Sequence, residues 1–317
     1  MTQKTTVVGR FAPSPSGRMH LGNLFTALMS WLSVRSAGGR WILRIEDLDP
    51  QRSRREHAEA IEADLRWLGL DWDEGGLDDV GPSGPYSQSR RGHLYAAALE
   101  QLRSAGMVYP CFCTRADIMA SNAPHLSDGN IIYPGTCRPA PVPPFPSVAT
   151  DRPHSERLWV PDETIVFTDR LCGRVSSNLS TDCGDFVLRR ADSAWAYQLA
   201  VVVDDALMGV TEVVRGDDLL LSTPRQLLLY RLLGHTPPEF AHLPLICNEA
   251  GIRLSKRDRA MSMAHLRLTS TPSEVIGRLA AMAGLTDSPS RPLTPTALIP
   301  HAPSLFHNLR HHPHPNL

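Results

Sequence analysis

A short block near the N-terminus carries the first chemistry-bearing residues of the chain. It runs from Arg10 to Asn23 and reads R-F-A-P-S-P-S-G-R-M-H-L-G-N, with the stiff turn of residues 13–17 ahead of a helical pattern. Free backbone N–H groups at a helix N-terminus, together with the helix dipole, attract phosphate. The block therefore predicts a nucleotide site, in which His20 donates to a phosphate oxygen and Gly22 lets an adenine lie against the backbone.

A rare internal lysine lies far downstream, in the stretch L-S-K-R at residues 254–257. The chain has 32 lysines and arginines together, and only Lys4 and Lys256 are lysines. Lysine is a compact, movable point charge, whereas arginine is a rigid fork. Together with the first block, this cation on a loop predicts an enzyme that activates a carboxylate with ATP.

Composition and missing motifs exclude several classes of protein. No run approaches 18 apolar residues and residues 1–6 are short and polar, so we expect neither a membrane span nor a signal peptide. The formal net charge of −1 argues against a broadly basic nucleic-acid binder. G-x-G-x-x-G and G-x-x-x-x-G-K-[ST] do not occur, which disfavours a dinucleotide fold and a P-loop. We expect a cytoplasmic monomer with no membrane partner.

A β-α-β unit is predicted to position the first block. Residues 6–11 and 41–45 read as strands, and apolar residues at helical spacing between them predict a helix. The first strand ends near Arg10 and the second near Glu46. Ligands of open α/β sheets bind beyond the carboxyl ends of the strands, so we expect both residues at the ligand-facing edge.

The second half of the sequence first interrupts this α/β pattern and then resumes it. Residues 108–189 include a proline-rich stretch that must be a loop or extended, and the region is predicted to be an insertion. Residues 199–203 and 210–214 then read as strands. Asp204 and Asp205 would end the first of these, where they either bind an amino acid or cap a turn.

The C-terminal part is predicted to hold one clear helix. Thr271-Pro272-Ser273-Glu274 forms a capping box, and Gly284 suits the helix stop. Residues 286–317 are rich in proline and histidine, so we expect a loosely ordered tail with solvated histidines.

The separated motifs together resemble the glutamyl branch of the class I aminoacyl-tRNA synthetases. The first block is similar to that branch's opening R-F-A-P-S-P-[ST]-G, and residues 254–257 to the second signature of the class. R-I-E-D at 44–47 and V-V-V-D-D-x₃-G-V-T-E-V-V-R-G at 201–216 match the same branch. Asn23 departs from the first class signature, which ends in histidine. The resemblance implies an α/β, Rossmann-like parallel sheet.

The resemblance also implies roles for individual residues. Free glutamate has two carboxylates and one ammonium, so Arg10 and Arg215 would each pair with a carboxylate and Glu46 with the ammonium. Which arginine takes which carboxylate stays open. Lys256 would neutralise the departing pyrophosphate, and Mg²⁺ is expected with the ATP. The implied glutamate-binding residues are Arg10, Phe11, Ala12, Pro13, Ser14, Glu46, Tyr197 and Arg215. The implied ATP-binding residues are His20, Gly22, Asn23, Ser255 and Lys256, of which His20 and Lys256 would be catalytic.

Cysteines form a second constellation. Cys111-x-Cys113 and a later Cys137 offer three thiolates, which is a good zinc set that still needs a fourth ligand. Truncated members of the same branch hold a zinc by Cys, Cys, Tyr and Cys, with the spacing Tyr133-x₃-Cys137 found here. The resemblance therefore implies one structural zinc. The other cysteines, at 172, 183 and 247, are interpreted as core or incidental thiols.

The length after the second motif narrows the choice within the branch. The 58 residues after Arg259 are fewer than a typical domain of ~100 residues, so we expect no anticodon-binding domain. The resemblance then implies a truncated paralogue, which activates L-glutamate without tRNA and transfers it to queuosine, the wobble nucleoside of tRNA(Asp). Two alternatives stay open: a compact glutamate–tRNA ligase that charges a normal 3′ end, and an inactive tRNA- or amino-acid-binding module.

These motifs suggest a division of the chain into five parts. The expected parts are the first catalytic half at 1–107, an inserted zinc-binding, acceptor-type subdomain at 108–189, the second catalytic half at 190–246, the Lys256 loop with a short helical region at 247–285, and the tail at 286–317.

Overall fold

The fold was analysed in a computed structural model, which describes residues 6–120, 132–140, 143–145, 151–246 and 262–311. Among these residues, strands and helices alternate over 8–111 and again over 197–243, strands dominate between the two parts, and helices follow. The strands are β1 (Val8–Phe11), β2 (Arg40–Leu43), β3 (Glu74–Gly75), β4 (Val108–Cys111), β5 (Ser155–Leu158), β6 (Thr164–Asp169), β7 (Gly173–Asn178), β8 (Phe186–Arg189), β9 (Glu212–Gly216) and β10 (Glu239–Leu243).

Helices cover the parallel sheet and form the C-terminal region. The α-helices are α1 (Leu21–Ser36), α2 (Arg55–Leu68), α3 (Gly92–Ser104), α4 (Arg115–Ala120), α5 (Leu179–Asp182), α6 (Tyr197–Leu207), α7 (Thr223–Leu233), α8 (Met263–Thr269), α9 (Pro272–Met282), α10 (Pro295–Leu298) and α11 (Leu305–His311). Short 3₁₀ helices span Gln88–Arg90, Asp217–Ser222 and Ile299–Ser304. In the described ranges, no helix has the length and apolar character needed to cross a membrane.

The parallel sheet is formed by strands from both sides of the inserted region. Its strand order among the described residues is β10-β9-β1-β2-β3, with Arg10 of β1 opposite Ile42 of β2 and Gly9 of β1 opposite Glu212 of β9. Parallel neighbours end at the same edge of a sheet, so residues at the carboxyl ends of β1, β2 and β9 lie close together. This arrangement confirms the predicted α/β, Rossmann-like class.

Helix α1, which confirms the predicted helix between β1 and β2, has defined hydrogen bonds at its start. The Nδ1 atom of His20 accepts a hydrogen bond from the Gly22 N–H at 3.2 Å, and Asn23 Oδ1 accepts one from the His20 N–H at 3.1 Å. This reciprocal capping box satisfies two donors that a helix start leaves open. The chain leaves the helix through Gly38, whose φ of 68° favours glycine. Because α1 is buried on almost every side, it fixes the position of residues 10–20, which precede it.

Residues 108–189 interrupt the parallel sheet with antiparallel structure. Strands β4, β5 and β8 form one sheet, and β6 pairs with β7 in a hairpin. Leu158 and Leu188 of this region share one core with residues of α3, α6 and α7. The insertion therefore packs directly on the catalytic fold, and the exact domain boundaries stay a prediction.

The predicted strand at 199–203 is wrong, because these residues form the middle of helix α6. All five side chains in this stretch are buried. A continuous apolar run fits a buried strand and a buried helix equally, so periodicity cannot distinguish them. Asp204 and Asp205 therefore lie on a helix, and their side chains pair with buried arginines rather than capping a turn.

The expectation of a loosely ordered C-terminal tail is also wrong for the described residues 286–311. Leu298, Leu305 and Leu309 are buried in the same core as α1. Pro295 and Pro300 lie in the first turns of their helices, where the missing N–H costs no helical hydrogen bond. His301 and His307 are exposed, as predicted.

The predicted start and stop of α9 are confirmed. Glu274 accepts from the Thr271 N–H at 2.7 Å, and the Thr271 hydroxyl accepts from the Glu274 N–H at 3.4 Å. The helix ends at Met282, and Gly284 follows with a φ of 66°. This region packs on the catalytic core rather than forming a separate unit.

Candidate active site

A cavity of about 460 Å³ opens at the carboxyl edge of the parallel sheet. The structure brings to it every predicted glutamate-binding residue and the described part of the predicted ATP site. The predicted residues that line it are Arg10, Phe11, Ala12, Pro13, Ser14, His20, Gly22, Asn23, Glu46, Tyr197 and Arg215. Ser255 and Lys256 lie outside the described residues, so their roles stay predictions.

Buried ion pairs hold two of the lining residues, Arg10 and Glu46, in place. Asp205 accepts from Arg44 Nη1 at 2.6 Å and lies 3.3 Å from Arg10 Nε. Arg44 also donates from Nη2 to Glu46 at 3.1 Å. The sequence analysis assigned no role to Arg44, although it stands two residues before Glu46 and so on the same side of an extended chain.

Asp204 forms a second buried cluster of hydrogen bonds. Its carboxylate accepts from Arg91 Nε at 2.5 Å, from Gln88 at 2.8 Å and from the Tyr95 hydroxyl at 2.9 Å. Burial and the charge of Asp204 raise the pKa of Tyr95, so the phenol keeps its proton and donates. Asp205 thus ties α6 to the parallel sheet, and Asp204 ties it to the segment from Gln88 to Tyr95.

The two carboxylates that pair most closely with Arg44, Asp205 and Glu46, respond differently to burial. Burial raises the pKa of Asp205, but the charges of Arg44 and Arg10 outweigh it and lower that pKa overall. Burial also raises the pKa of Glu46, and there the arginines offset it only in part. A cationic group that enters the cavity beside Glu46 would stabilise its ionised form.

Arg215 is a buried cation that lacks an ion-pair partner among the described residues. Its Nε donates to His242 Nε2 at 3.0 Å and its Nη2 to the Thr223 hydroxyl at 2.9 Å. The Nη1 atom is buried and has no hydrogen-bond partner in the described part of the chain. Burial lowers the pKa of Arg215, and the nearby charge of Arg10 also lowers it. A carboxylate ligand would supply the missing partner.

At the N-terminus of α1, the helix cap fixes the tautomer of His20. Because Nδ1 accepts from the Gly22 N–H, the proton of the neutral ring lies on Nε2. A Cβ at Gly22 would lie 3.1 and 3.2 Å from His20 ring atoms, so any other residue there would require the imidazole to shift by a few tenths of an ångström. The Oδ1 atom of Asn23 serves the cap, and binding of ATP by Asn23 stays a prediction.

The four predicted zinc ligands converge at the end of β4. The sulfurs of Cys111, Cys113 and Cys137 all lie within 4.8 Å of one another, and those of Cys113 and Cys137 are 3.6 Å apart. The Tyr133 hydroxyl lies 3.4 Å from Cys111 Sγ. A tetrahedron with Zn–S bonds of about 2.3 Å separates its sulfurs by roughly 3.8 Å. These donors therefore fit a zinc ion.

Comparison with known proteins agrees with the motifs. Residues 6–296 match the catalytic domain of class I tRNA synthetases for E and Q. A glutamyl-Q tRNA(Asp) synthetase of Symbiobacterium thermophilum is 54% identical over 92% of this chain and 91% of its own length. That of Nitratidesulfovibrio vulgaris is 50% identical over 87% of this chain and 86% of its own.

A solved structure shows the same fold. The glutamate tRNA ligase of Elizabethkingia meningosepticum, in complex with its amino acid, superposes with a TM-score of 0.78 at 31% identity. The match covers 93% of this chain but 64% of the ligase. The chain belongs to the class I tRNA synthetases for glutamate and glutamine and, within them, to the glutamyl-Q tRNA(Asp) synthetase family.

Proposed function

We propose that this chain activates L-glutamate with ATP and Mg²⁺, forming glutamyl-adenylate without tRNA, and transfers the glutamyl group to queuosine in tRNA(Asp). The observation that carries the acceptor is the 54% identity to a glutamyl-Q tRNA(Asp) synthetase over about nine tenths of both chains. ATP and Mg²⁺ are the cosubstrate and metal of class I synthetases in general. The amino acid is supported by the charges in the cavity.

Glutamate would be recognised by three charged residues. Arg215 offers a buried, unpartnered Nη1 to one carboxylate, and Glu46 offers a carboxylate to the ammonium. Arg10 already pairs with Asp205, so it would hold the second carboxylate from a fixed position. Charge-assisted hydrogen bonds of this kind are short and strong in a dry site. Tyr197 lines the same wall and would close the pocket around the side chain.

Activation requires alignment and charge stabilisation more than a base. The carboxylate oxygen is already ionised when it attacks the α-phosphorus, and pyrophosphate leaves from the opposite side. His20 would donate from Nε2–H to a phosphate oxygen, and Lys256 would neutralise the pyrophosphate. A hydroxyl of the queuosine cyclopentene ring then attacks the adenylate carbonyl, so that an ester forms and AMP leaves.

The cysteine cluster would hold one structural zinc. Cys111, Cys113, Tyr133 and Cys137 would supply four protein ligands, which leaves no open position for substrate. A metal there would tie the loop that carries Tyr133 and Cys137 to the end of β4. The ion would therefore act on folding of the inserted region rather than on the reaction.

A compact glutamate–tRNA ligase that charges a 3′ end is the second candidate, since the chain resembles a glutamate tRNA ligase in structure. The two reactions share the first step and differ only in the acceptor. An inactive binding module is disfavoured, because the cavity retains Arg10, Glu46, His20 and Arg215 together.

The acceptor is tested with labelled glutamate and three samples of tRNA(Asp). One sample carries queuosine, one lacks it, and one carries queuosine but has lost its terminal adenosine. We expect labelling of the first and third samples only. Labelling of the first two alone would establish 3′-end charging instead. ATP–pyrophosphate exchange with glutamate in the absence of tRNA tests the first step separately, and a binding module would show none.

A further inference from the structure

We propose that Asp169 and His242 form a positioning pair that orients the Arg215 guanidinium toward the carboxylate of the substrate. The inference rests on the proposed role of Arg215 as a carboxylate ligand. It assigns to two residues outside the cavity wall a part in the specificity for the amino acid.

The three side chains form a continuous buried chain of hydrogen bonds. Arg215 and His242 are paired neighbours on β9 and β10. Arg215 Nε donates to His242 Nε2 at 3.0 Å, and His242 Nδ1 donates to Asp169 Oδ2 at 2.6 Å. The Asp169 and His242 side chains are not exposed at all, so solvent cannot replace either bond.

The direction of these bonds is set by Asp169. Its Oδ1 accepts from the backbone N–H groups of Leu171 at 2.8 Å, Cys172 at 2.9 Å and His242 at 3.2 Å. Its Oδ2 then requires a donor from the ring, which places the imidazole proton on Nδ1 and leaves Nε2 as an acceptor. Only this neutral tautomer can accept from the Arg215 Nε–H.

The charges around the ring favour the neutral form. Burial lowers the pKa of His242, and the nearby charges of Arg215 and Arg10 lower it too, whereas Asp169 opposes them. Burial raises the pKa of Asp169, but hydrogen bonds from His242 and from the backbone lower it overall. The pair is therefore an ionised carboxylate and a neutral imidazole.

The remaining contacts decide which nitrogen of Arg215 is left without a hydrogen-bond partner for the proposed ligand. Thr223 accepts from Nη2 at 2.9 Å, so Nε and Nη2 are both engaged and Nη1 is the unpartnered atom among the described residues. The guanidinium also lies over the Phe240 ring, at 5.2 Å from its centroid, and His242 stacks on the same ring. Asp169, at the end of β6, thus connects the inserted region through His242 to Arg215 at the proposed amino-acid site.

The sharpest test replaces Asp169 with asparagine. The three backbone donors hold the amide oxygen where Oδ1 now lies, so the amide N–H₂ would face His242 Nδ1. The ring would then adopt the Nε2–H tautomer, and two donors would oppose each other at Arg215. We expect Asp169→Asn to raise the KM for glutamate in pyrophosphate exchange about 10–100-fold. The KM for ATP should stay within about twofold, because the pair lies on the amino-acid side.

Two further variants separate positioning from structural support. His242→Gln offers a carbonyl acceptor to Arg215 and should bind glutamate more tightly than a variant that offers no acceptor. His242→Phe keeps a ring on Phe240 but removes both nitrogens, and should show the full loss. Asp182→Asn is a matched control in the same inserted region, where Asp182 bonds Ser177 and the Asn178 N–H. It should leave the KM for glutamate unchanged.

The outcomes discriminate among the possibilities. A wild-type KM for glutamate in Asp169→Asn, or an equal rise in both KM values, would overturn the positioning role and leave the proposed function intact. Absence of glutamate-dependent exchange in the wild type would overturn the proposed function and this inference with it. If Asp169→Asn does not fold, ¹⁵N NMR of the wild-type ring, assigned by comparison with His242→Gln, decides the tautomer. Protonation on Nδ1 supports the inference, and protonation on Nε2 contradicts it.

Discussion

Arg44 Nη1 lies 2.6 Å from Asp205 Oδ1, and neither side chain is appreciably exposed to solvent. Arg44 follows β2, whereas Asp205 is near the end of α6, 161 residues further along the chain. Arg10 joins the same carboxylate from β1. The charges beneath the cavity are therefore held by helix and sheet before any ligand enters, and little reorganisation is needed when glutamate binds.

Replacing Asp205 with asparagine should destabilise the fold strongly. The change removes the ionised partner of Arg10 and leaves Arg44 with Glu46 as its nearest acidic partner, and loss of one member of a buried pair costs about 3–5 kcal/mol. Urea unfolding measures the loss. Glu59→Gln is the control, because Glu59 pairs with Arg55 on an exposed face, and such a pair contributes about 0.5 kcal/mol or less. Equal effects of the two variants would show that the network does not support the fold.

Arg215→Lys should weaken the binding of glutamate without weakening the binding of ATP. A lysine keeps the charge but loses the planar fork that contacts His242, Thr223 and the proposed carboxylate together. We expect the KM for glutamate to rise about 10–100-fold, as for a lost charge-assisted hydrogen bond. Steady-state pyrophosphate exchange gives this value. Arg231→Lys, at an exposed pair with Glu163, should behave as wild type, and a similar KM in both variants would rule out the carboxylate contact.

His20→Asn separates helix capping from catalysis. Asparagine is among the best N-cap residues, so the start of α1 should be retained and stability should change by about 0.5 kcal/mol or less. The imidazole donor is lost, and kcat for exchange should fall about 100-fold. Thermal unfolding and kcat are measured on the same preparation. A stability loss with an unchanged rate would assign His20 to the cap alone.

The cysteine cluster predicts a zinc content of about one ion per chain. Cys113→Ser and Cys137→Ser each remove one ligand and should lower the zinc that remains after dialysis, together with the stability of the fold. Atomic emission on purified protein measures the metal. Cys172→Ser is the control, since Cys172 is exposed and stands outside the cluster. Absence of zinc from correctly folded wild type would contradict this centre.

His242 predicts a pH dependence of stability. Its pKa is lowered in the folded protein, first by burial, so the unfolded chain binds more protons just below the ordinary pKa of 6.5. The stabilisation is complete above pH 6.5 and is lost as pH falls from there toward the folded value. The slope is at most about 1.4 kcal/mol per pH unit. The groups that face this ring are Asp169, Arg215 and Arg10.

Urea unfolding between pH 5 and 8 tests this dependence by comparison of wild type with His242→Gln. The other histidines titrate in both proteins, so the difference between the two curves isolates His242. We expect that difference to shrink as pH falls below 6.5. A constant difference across the range would mean that His242 does not titrate on unfolding.

Local sequence patterns correctly predicted those features that depend on residues close together in the chain. The strand ends at Arg10 and near Glu46, the helix that begins at Leu21, and the capping box at Thr271 all follow from residues within a few positions of one another. Short-range hydrogen bonds and periodicity determine such features directly. The family resemblance, rather than local spacing alone, predicted the cluster of Cys111, Cys113, Tyr133 and Cys137 that the structure brings together.

Features that depend on distant contacts were decided only by the tertiary structure. The apolar run at 199–203 is a helix because α6 packs on all sides within the core. Residues 295–311 are ordered because Leu305 and Leu309 are buried in the same core as the side chains of α1. Asp169 reaches His242 across 73 positions, and Asp205 reaches Arg10 across 195. The type of a residue indicates that it needs a partner when buried, but only the packed fold determines which partner it meets.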